Sequence, residues 1–107
     1  MVYQGTRPAP VFLVDTDLTG MTVYLYIKTA TGEYIVKSGN DLMITVLEDG
    51  TSAIITILEQ EETLQLPEGT CQARVRWIDE YGNPGISDPG YFQVVGTEPK
   101  DVIAYRG

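Results

Sequence analysis

The chain has no histidine, and its only cysteine is Cys71. Without histidine there is no Ser-His-Asp or Cys-His nucleophile system, the usual general base is missing, and most zinc sites lose a ligand. One thiol cannot make an internal disulfide, so no disulfide framework holds the fold, and a reducing compartment is expected at the time of folding. Positive charge is scarce as well. Seven Lys and Arg stand against fifteen Asp and Glu, for a formal net charge of -8. The seven are Arg7, Lys28, Lys37, Arg74, Arg76, Lys100 and Arg106, scattered along the chain. That argues against a nucleic-acid partner, because phosphate binding needs clustered cations. No stretch approaches the ~20 apolar residues of a membrane span. No N-terminal segment joins a basic region to an apolar run, so a signal peptide is not expected. Phosphate-cradling glycine loops and the spaced Asp/Asn pattern of a calcium loop are absent too. The expectation is a chain with no cofactor, no metal, no membrane partner and no nucleic-acid partner.

What is present is alternation. The length of 107 residues suits one domain with one core. The dominant hydrophobic period is two. In Met21–Lys28, Met21, Val23, Leu25 and Ile27 fall on one face, and Thr22, Tyr24, Tyr26 and Lys28 on the other. A turn at Gly32 and a return strand at Tyr34–Lys37 follow, then a turn at Ser38–Asp41 and a third strand of the same group at Leu42–Leu47. "EDGT" at Glu48–Thr51 is a hairpin signal, since Asp-Gly suits the left-handed positions of a tight turn. Ala53–Leu58 is almost entirely β-branched or aliphatic, which suggests a strand covered on both faces or one of unfixed register. "EQEETLQLPEG" breaks the pattern; one helical turn near 59–65, ended by Pro67 and Gly69, would carry the chain from one sheet to another. Cys71–Ile78 alternates again, with Cys71, Ala73, Val75 and Trp77 on one side and Gln72, Arg74 and Arg76 on the other. Ile86–Asp88 and Tyr91–Val95 read as a last strand interrupted at Pro89-Gly90, and Val11–Val14 as the first strand. About seven short strands with regular turns predict an all-β, immunoglobulin-like β-sandwich over residues 1–95. Residues 96–107 read as a polar C-terminal tail or linker. The Cys…Trp…Cys signature of an antibody domain is missing.

The chemistry-bearing residues each have a plain structural reading. Cys71 shares a face with Val75 and Trp77 and reads as a core thiol; Trp77 reads as the core aromatic between the sheets. Glu59, Glu61 and Glu62 are the carboxylates that could serve glycoside hydrolysis, but they suit a solvated crossover. Asp15, Asp17, Asp79 and Glu80 are the remaining acidic candidates for a metal; Asp15 and Asp17 more simply cap the turn before Thr19-Gly20. The aromatics keep three readings open. Tyr24 and Tyr26, with Tyr34, could stabilise the sheet by cross-strand packing, contact a protein partner, or stack on sugars. The candidate contact residues are Tyr24, Tyr26, Tyr34, Arg74 and Arg76.

Taken together, "YQGTRPAPVFLV", "DLTGMTVYLYIKTATGEYIVK", "ITILEQEETLQLPEGTCQARVRWIDEYGNPGISD" and "GYFQVV" resemble small bacteriophage and prophage proteins with an immunoglobulin-like sandwich. They are similar to the N-terminal domain of phage baseplate upper proteins. Gly5, Thr6 and Pro8 match an N-terminal Gly-Thr-x-Pro stretch, Asp17–Gly20 a "DLTG" turn, and Gln60–Thr63 a "QEET" turn. Gln72, Arg74 and Arg76 fall in the strand that follows it. Arg7 and the longer "EYGNPG" turn depart from the pattern. The resemblance spans roughly Val2 to Val95 and rests on turn motifs, none of them catalytic. It implies a non-enzymatic virion structural protein of the tail or baseplate, assembled in the host cytoplasm by protein–protein docking, with tail proteins as partners and with homo-oligomers in play. The alternative is a carbohydrate-binding module that contacts the host surface through its tyrosines.

Overall fold

Alternation becomes two sheets. The computed structural model describes residues 1–96, so the expected tail or linker lies, beyond Gly96, outside the described residues. Nine strands are present there: β1 (Val2–Tyr3), β2 (Val11–Val14), β3 (Thr22–Lys28), β4 (Tyr34–Ser38), β5 (Leu42–Val46), β6 (Ser52–Thr56), β7 (Gly69–Ile78), β8 (Pro84–Ile86) and β9 (Gly90–Val95). One helix, α1 (Gln60–Gln65), follows β6. The large sheet runs β1-β9-β7-β3-β4, with β8 also on β7; the small sheet runs β2-β6-β5. The chain is therefore all-β apart from α1 and a 3-10 turn at Gly39–Asp41.

The strand count exceeds the expected seven because of β1 and β8. β1 is two residues long and lies parallel to β9, pairing Val2 with Val94 and Tyr3 with Val95. So short a strand has no alternation to reveal it. β8 and β9 both lie along the same edge of β7, as the reading of an interrupted strand expects. At the break, the Val75 N–H donates to Ser87 Oγ at 2.9 Å, and the Ser87 N–H donates to the Val75 carbonyl at 2.8 Å. A side chain thus takes up the ladder bond that the bulge displaces.

Two further expectations are corrected. Leu42–Val46 does not continue the group of β3 and β4; it pairs with β6 in the small sheet. The 3-10 turn after Ser38 takes the chain across. The run Ala53–Leu58 is not covered on both faces. In β6, Ser52, Ile54 and Thr56 point into the core while Ala53 and Ile55 point out. An apolar run hides this alternation because both faces of β6 carry aliphatics.

The inward faces of both sheets share one core. Leu25 and Ile27 of β3, Cys71 and Val75 of β7, Ile54 of β6, and Leu58 just after it are buried in a single cluster. Each such aliphatic removed from water contributes about 1.5–3 kcal/mol before chain entropy is counted. Trp77 lies at the margin of this cluster, half-buried, rather than at its centre. Its ring lies on Gly85 of β8, where an added Cβ would come within 2.2 Å of the indole. Only glycine leaves room for that ring.

The turns follow their residue chemistry. Gly50 in the β5–β6 turn has φ 86, the left-handed conformation that Asp-Gly signals, and Asp49 Oδ1 accepts the Thr51 N–H at 2.9 Å. Helix α1 starts with a reciprocal capping box between Glu59 and Glu62. It does carry the chain from the small sheet to the large one. Ser52 ties β6 to the β2–β3 loop, accepting the Leu18 N–H at 3.0 Å and donating to the Thr16 carbonyl at 2.7 Å.

Candidate functional site

The register sets which side chains share the outer face of the large sheet. Tyr24 stands opposite Ser38 on β4 and Arg76 on β7; Arg76 stands opposite Ile86 on β8. On the next rung Tyr26 lies between Val36 and Arg74, and on the third Lys28 lies between Tyr34 and Gln72, with Tyr91 beyond. Tyr3 joins at the far edge beside Val95. The five residues proposed from sequence therefore share one face, and the structure adds Lys28, Ile86, Tyr91 and Tyr3. Tyr24 and Tyr26 pack with ring centroids 6.4 Å apart at 45°, and the Arg76 guanidinium sits 5.7 Å from the Tyr26 ring centre. This contact combines cation and quadrupole attraction. A groove of about 650 Å³ opens between Tyr26, Tyr34, Lys28, Gln72, Arg74 and Arg76.

Charge is segregated on this face. No strand of the large sheet places a carboxylate there. Of the seven basic residues, Lys100 and Arg106 fall outside the described residues. Among the rest, Arg7 pairs with Glu59 at 2.8 Å and Lys37 with Glu62 at 2.8 Å. The other three, Lys28, Arg74 and Arg76, have no carboxylate partner among the described residues, and all three belong to this face. The composition signal of scattered cations thus misses a cluster that sheet register assembles.

The acidic candidates scatter over two ends. At the end bearing α1, Glu59 and Glu62 are engaged by Arg7, Lys37 and the helix cap, and Glu68 accepts the Gly96 N–H at 2.8 Å. The Arg7 guanidinium holds the Glu59 carboxyl below its ordinary range. At the opposite end lie Asp15, Asp17, Glu48, Asp49, Asp79 and Glu80, in three neighbouring loops without a basic residue. Asp79 Oδ1 accepts the N–H groups of Tyr81 and Asn83, and Asp17 Oδ1 that of Thr19. Bonds with Asn83 and Thr19 hold these two carboxyls low. Among the described residues no group of acidic or thiol side chains has the arrangement to hold a metal ion. Cys71 is fully buried, and burial pushes its thiol up.

A second surface escaped the sequence reading. On the outer face of the small sheet, Val11 and Leu13 of β2 stand beside Ile55 and Ala53 of β6, which stand beside Met43 and Thr45 of β5. None is charged. Leu13 is 67% exposed, Met43 59% and Val11 54%. The signal was available in Val11–Val14 and Leu42–Leu47, which are apolar at both parities.

No family model, no curated protein and no solved structure matches this chain. No helix among the described residues is long and apolar enough to cross a membrane.

Proposed function

We propose that this chain is a non-enzymatic structural protein of a phage or prophage tail or baseplate, built as an immunoglobulin-like β-sandwich, and that it acts by docking onto neighbouring tail proteins during virion assembly. The observation that carries the docking reading is the outer face of the large sheet. Tyrosine and arginine are among the residues enriched where proteins bind proteins, and here they gather on one face beside an open groove. The uncharged outer face of the small sheet supports the same reading, because exposed apolar patches of this kind mark contact surfaces. The tail assignment rests on the resemblance carried by "QGTRP", "DLTG" and "EQEET". Two of these stretches are bound to each other: the Gly5 N–H donates to Thr63 Oγ1 at 3.0 Å, Thr63 Oγ1 donates to the Thr6 carbonyl at 2.7 Å, and Arg7 pairs with Glu59.

The test is co-expression of the chain with the tail and baseplate proteins of its own phage or prophage, followed by purification of whatever complex forms. A tail protein is expected to co-purify, and a Tyr24→Ala/Tyr34→Ala/Arg76→Ala variant is expected to lose it by at least tenfold. Failure of every tail protein to co-purify would end the reading. The second reading, a carbohydrate-binding module, draws on the exposed Tyr34 ring, 62% accessible. It requires binding to host-surface glycans at millimolar sugar that disappears in Tyr24→Ala/Tyr34→Ala.

A further inference from the structure

We infer that the tyrosine–arginine face of one copy of this chain docks the acidic end of a second copy, in a head-to-tail contact. The inference rests on the docking reading above and names the occupant.

The two surfaces complement each other in charge. The face carries Lys28, Arg74 and Arg76 without a carboxylate, and none of the three has an ionic partner within its own chain among the described residues. The opposing surface carries Asp15, Asp17, Glu48, Asp49, Asp79 and Glu80 without a cation. The cations of the α1 end, Arg7 and Lys37, are already paired there. Among the described residues, Lys28, Arg74 and Arg76 on the face and the six carboxylates at the acidic end thus present opposite charge on two surfaces of the same chain, while Glu33, Asp41, Glu61 and Asp88 belong to neither set.

Docked head to tail, with a different surface used on each side, the contact is heterologous. One copy's end fits the next copy's face, and repetition closes a ring or extends a filament. The geometry favours arginine here, since its planar fork can take a carboxylate through two hydrogen bonds. Arg76 is positioned over the Tyr26 ring, so less freedom is lost when it engages. The aspartates of the end are held by their own turns: Asp17 by Thr19, Asp49 by Thr51, and Asp79 by Tyr81 and Asn83. They present charge on a fixed backbone. The net charge of -8 repels two copies at long range, but that field is screened beyond about 8 Å at physiological salt, which leaves the local contact to decide.

The experiment is light scattering after size-exclusion chromatography on the full chain, over a range of concentrations and at about 0.15 M and 1 M salt. Three variants are compared: Arg74→Glu/Arg76→Glu, Glu48→Lys/Glu80→Lys, and all four changes in one chain. Circular dichroism and thermal unfolding check that each variant is folded. The expected result is a concentration-dependent oligomer that weakens at least tenfold at the higher salt. Each double variant should weaken it at least tenfold, and the fourfold variant should restore it, because the charges have exchanged places. A chain that stays monomeric at every concentration overturns the inference. So does an oligomer that ignores both double variants, which would point to the uncharged small-sheet face, and so does a fourfold variant that fails to associate. A monomer that still captures a tail protein through its tyrosines would refute self-docking while leaving the docking reading standing.

Discussion

The two sheets turn different chemistries to the solvent. On their outer faces, the strands of the large sheet present tyrosines and cations that have no carboxylate partner among the described residues; those of the small sheet present aliphatics and a threonine with no charge. Both bury the same kind of inward residue in the same core. The core rules constrain only the inner half of each strand, so the outer halves are free to diverge, and their divergence carries the information about partners. The free edges differ in the same sense. On β4, Lys37 turns toward the inner side and pairs with Glu62, and such a charge discourages further strand pairing. On β5, Met43 through Leu47 are exposed and uncharged, with no proline and no lysine. The large sheet ends in a guarded edge, and the small sheet in an open one.

The comparison holds only if both faces belong to one cooperative unit. Leu25→Ala empties a site shared by the two sheets and is expected to cost about 2–5 kcal/mol in urea unfolding. Trp77 fluorescence and circular dichroism should report the same midpoint shift. Separate transitions would mean that the sheets unfold independently. Gly85→Ala acts on the large sheet alone. The new methyl would meet the Trp77 ring, and the loss should be about 1–3 kcal/mol, with a shift in Trp77 emission. An unchanged emission spectrum would mean that the ring does not lie on β8.

Smaller effects on stability separate the faces themselves. Arg74→Glu/Arg76→Glu on one face and Leu13→Lys/Met43→Lys on the other should each change stability by no more than about 0.5 kcal/mol, since neither pair is in the core. Only the second should lower the binding of a hydrophobic dye. If the first lowers it as well, the contrast between the faces is wrong. The smallest effect is in acid. Asp17, Asp49 and Asp79 have carboxyls held low by hydrogen bonds with Thr19, Thr51 and Asn83 respectively. A depressed carboxyl stabilises the fold while ionised, so its contribution is present above its unfolded value and fades as pH falls through the lower, folded one. Thermal stability should be level from pH 7 to about 5 and decline below about pH 4. Asp79→Asn should flatten that decline, and an unchanged acid limb would show that Asp79 contributes nothing to it.

Much of the fold was legible in single residues. The alternation of Thr22–Lys28 assigned Leu25 inward and Tyr24 outward, and Gly32 and Gly50 marked their turns. The helical turn before Pro67 was visible in its acidic start. The candidate site was legible only in part. Tyr24, Tyr26, Lys28, Tyr34, Arg74 and Arg76 could be placed on strand faces, but Ile86 and Tyr91 become their neighbours only through pairing. Trp77 was placed inward correctly by parity and yet lies at the margin of the core, its ring over Gly85 of the neighbouring β8, a placement that depends on which strand pairs beside it.

By itself the sequence determined the β character, the turn positions, the inward parity of β3 and β7, and the lack of histidine chemistry. These follow from interactions between residues a few positions apart, where φ, side-chain branching and period act directly. The tertiary structure alone decided that β5 joins β6 and not β4, that β1 lies parallel to β9, and that Lys28 joins Arg74 and Arg76 on one face while six carboxylates from three loops gather at one end. Those choices are set by which distant strands bury the most apolar surface against each other, a sum over the whole chain that no local stretch contains.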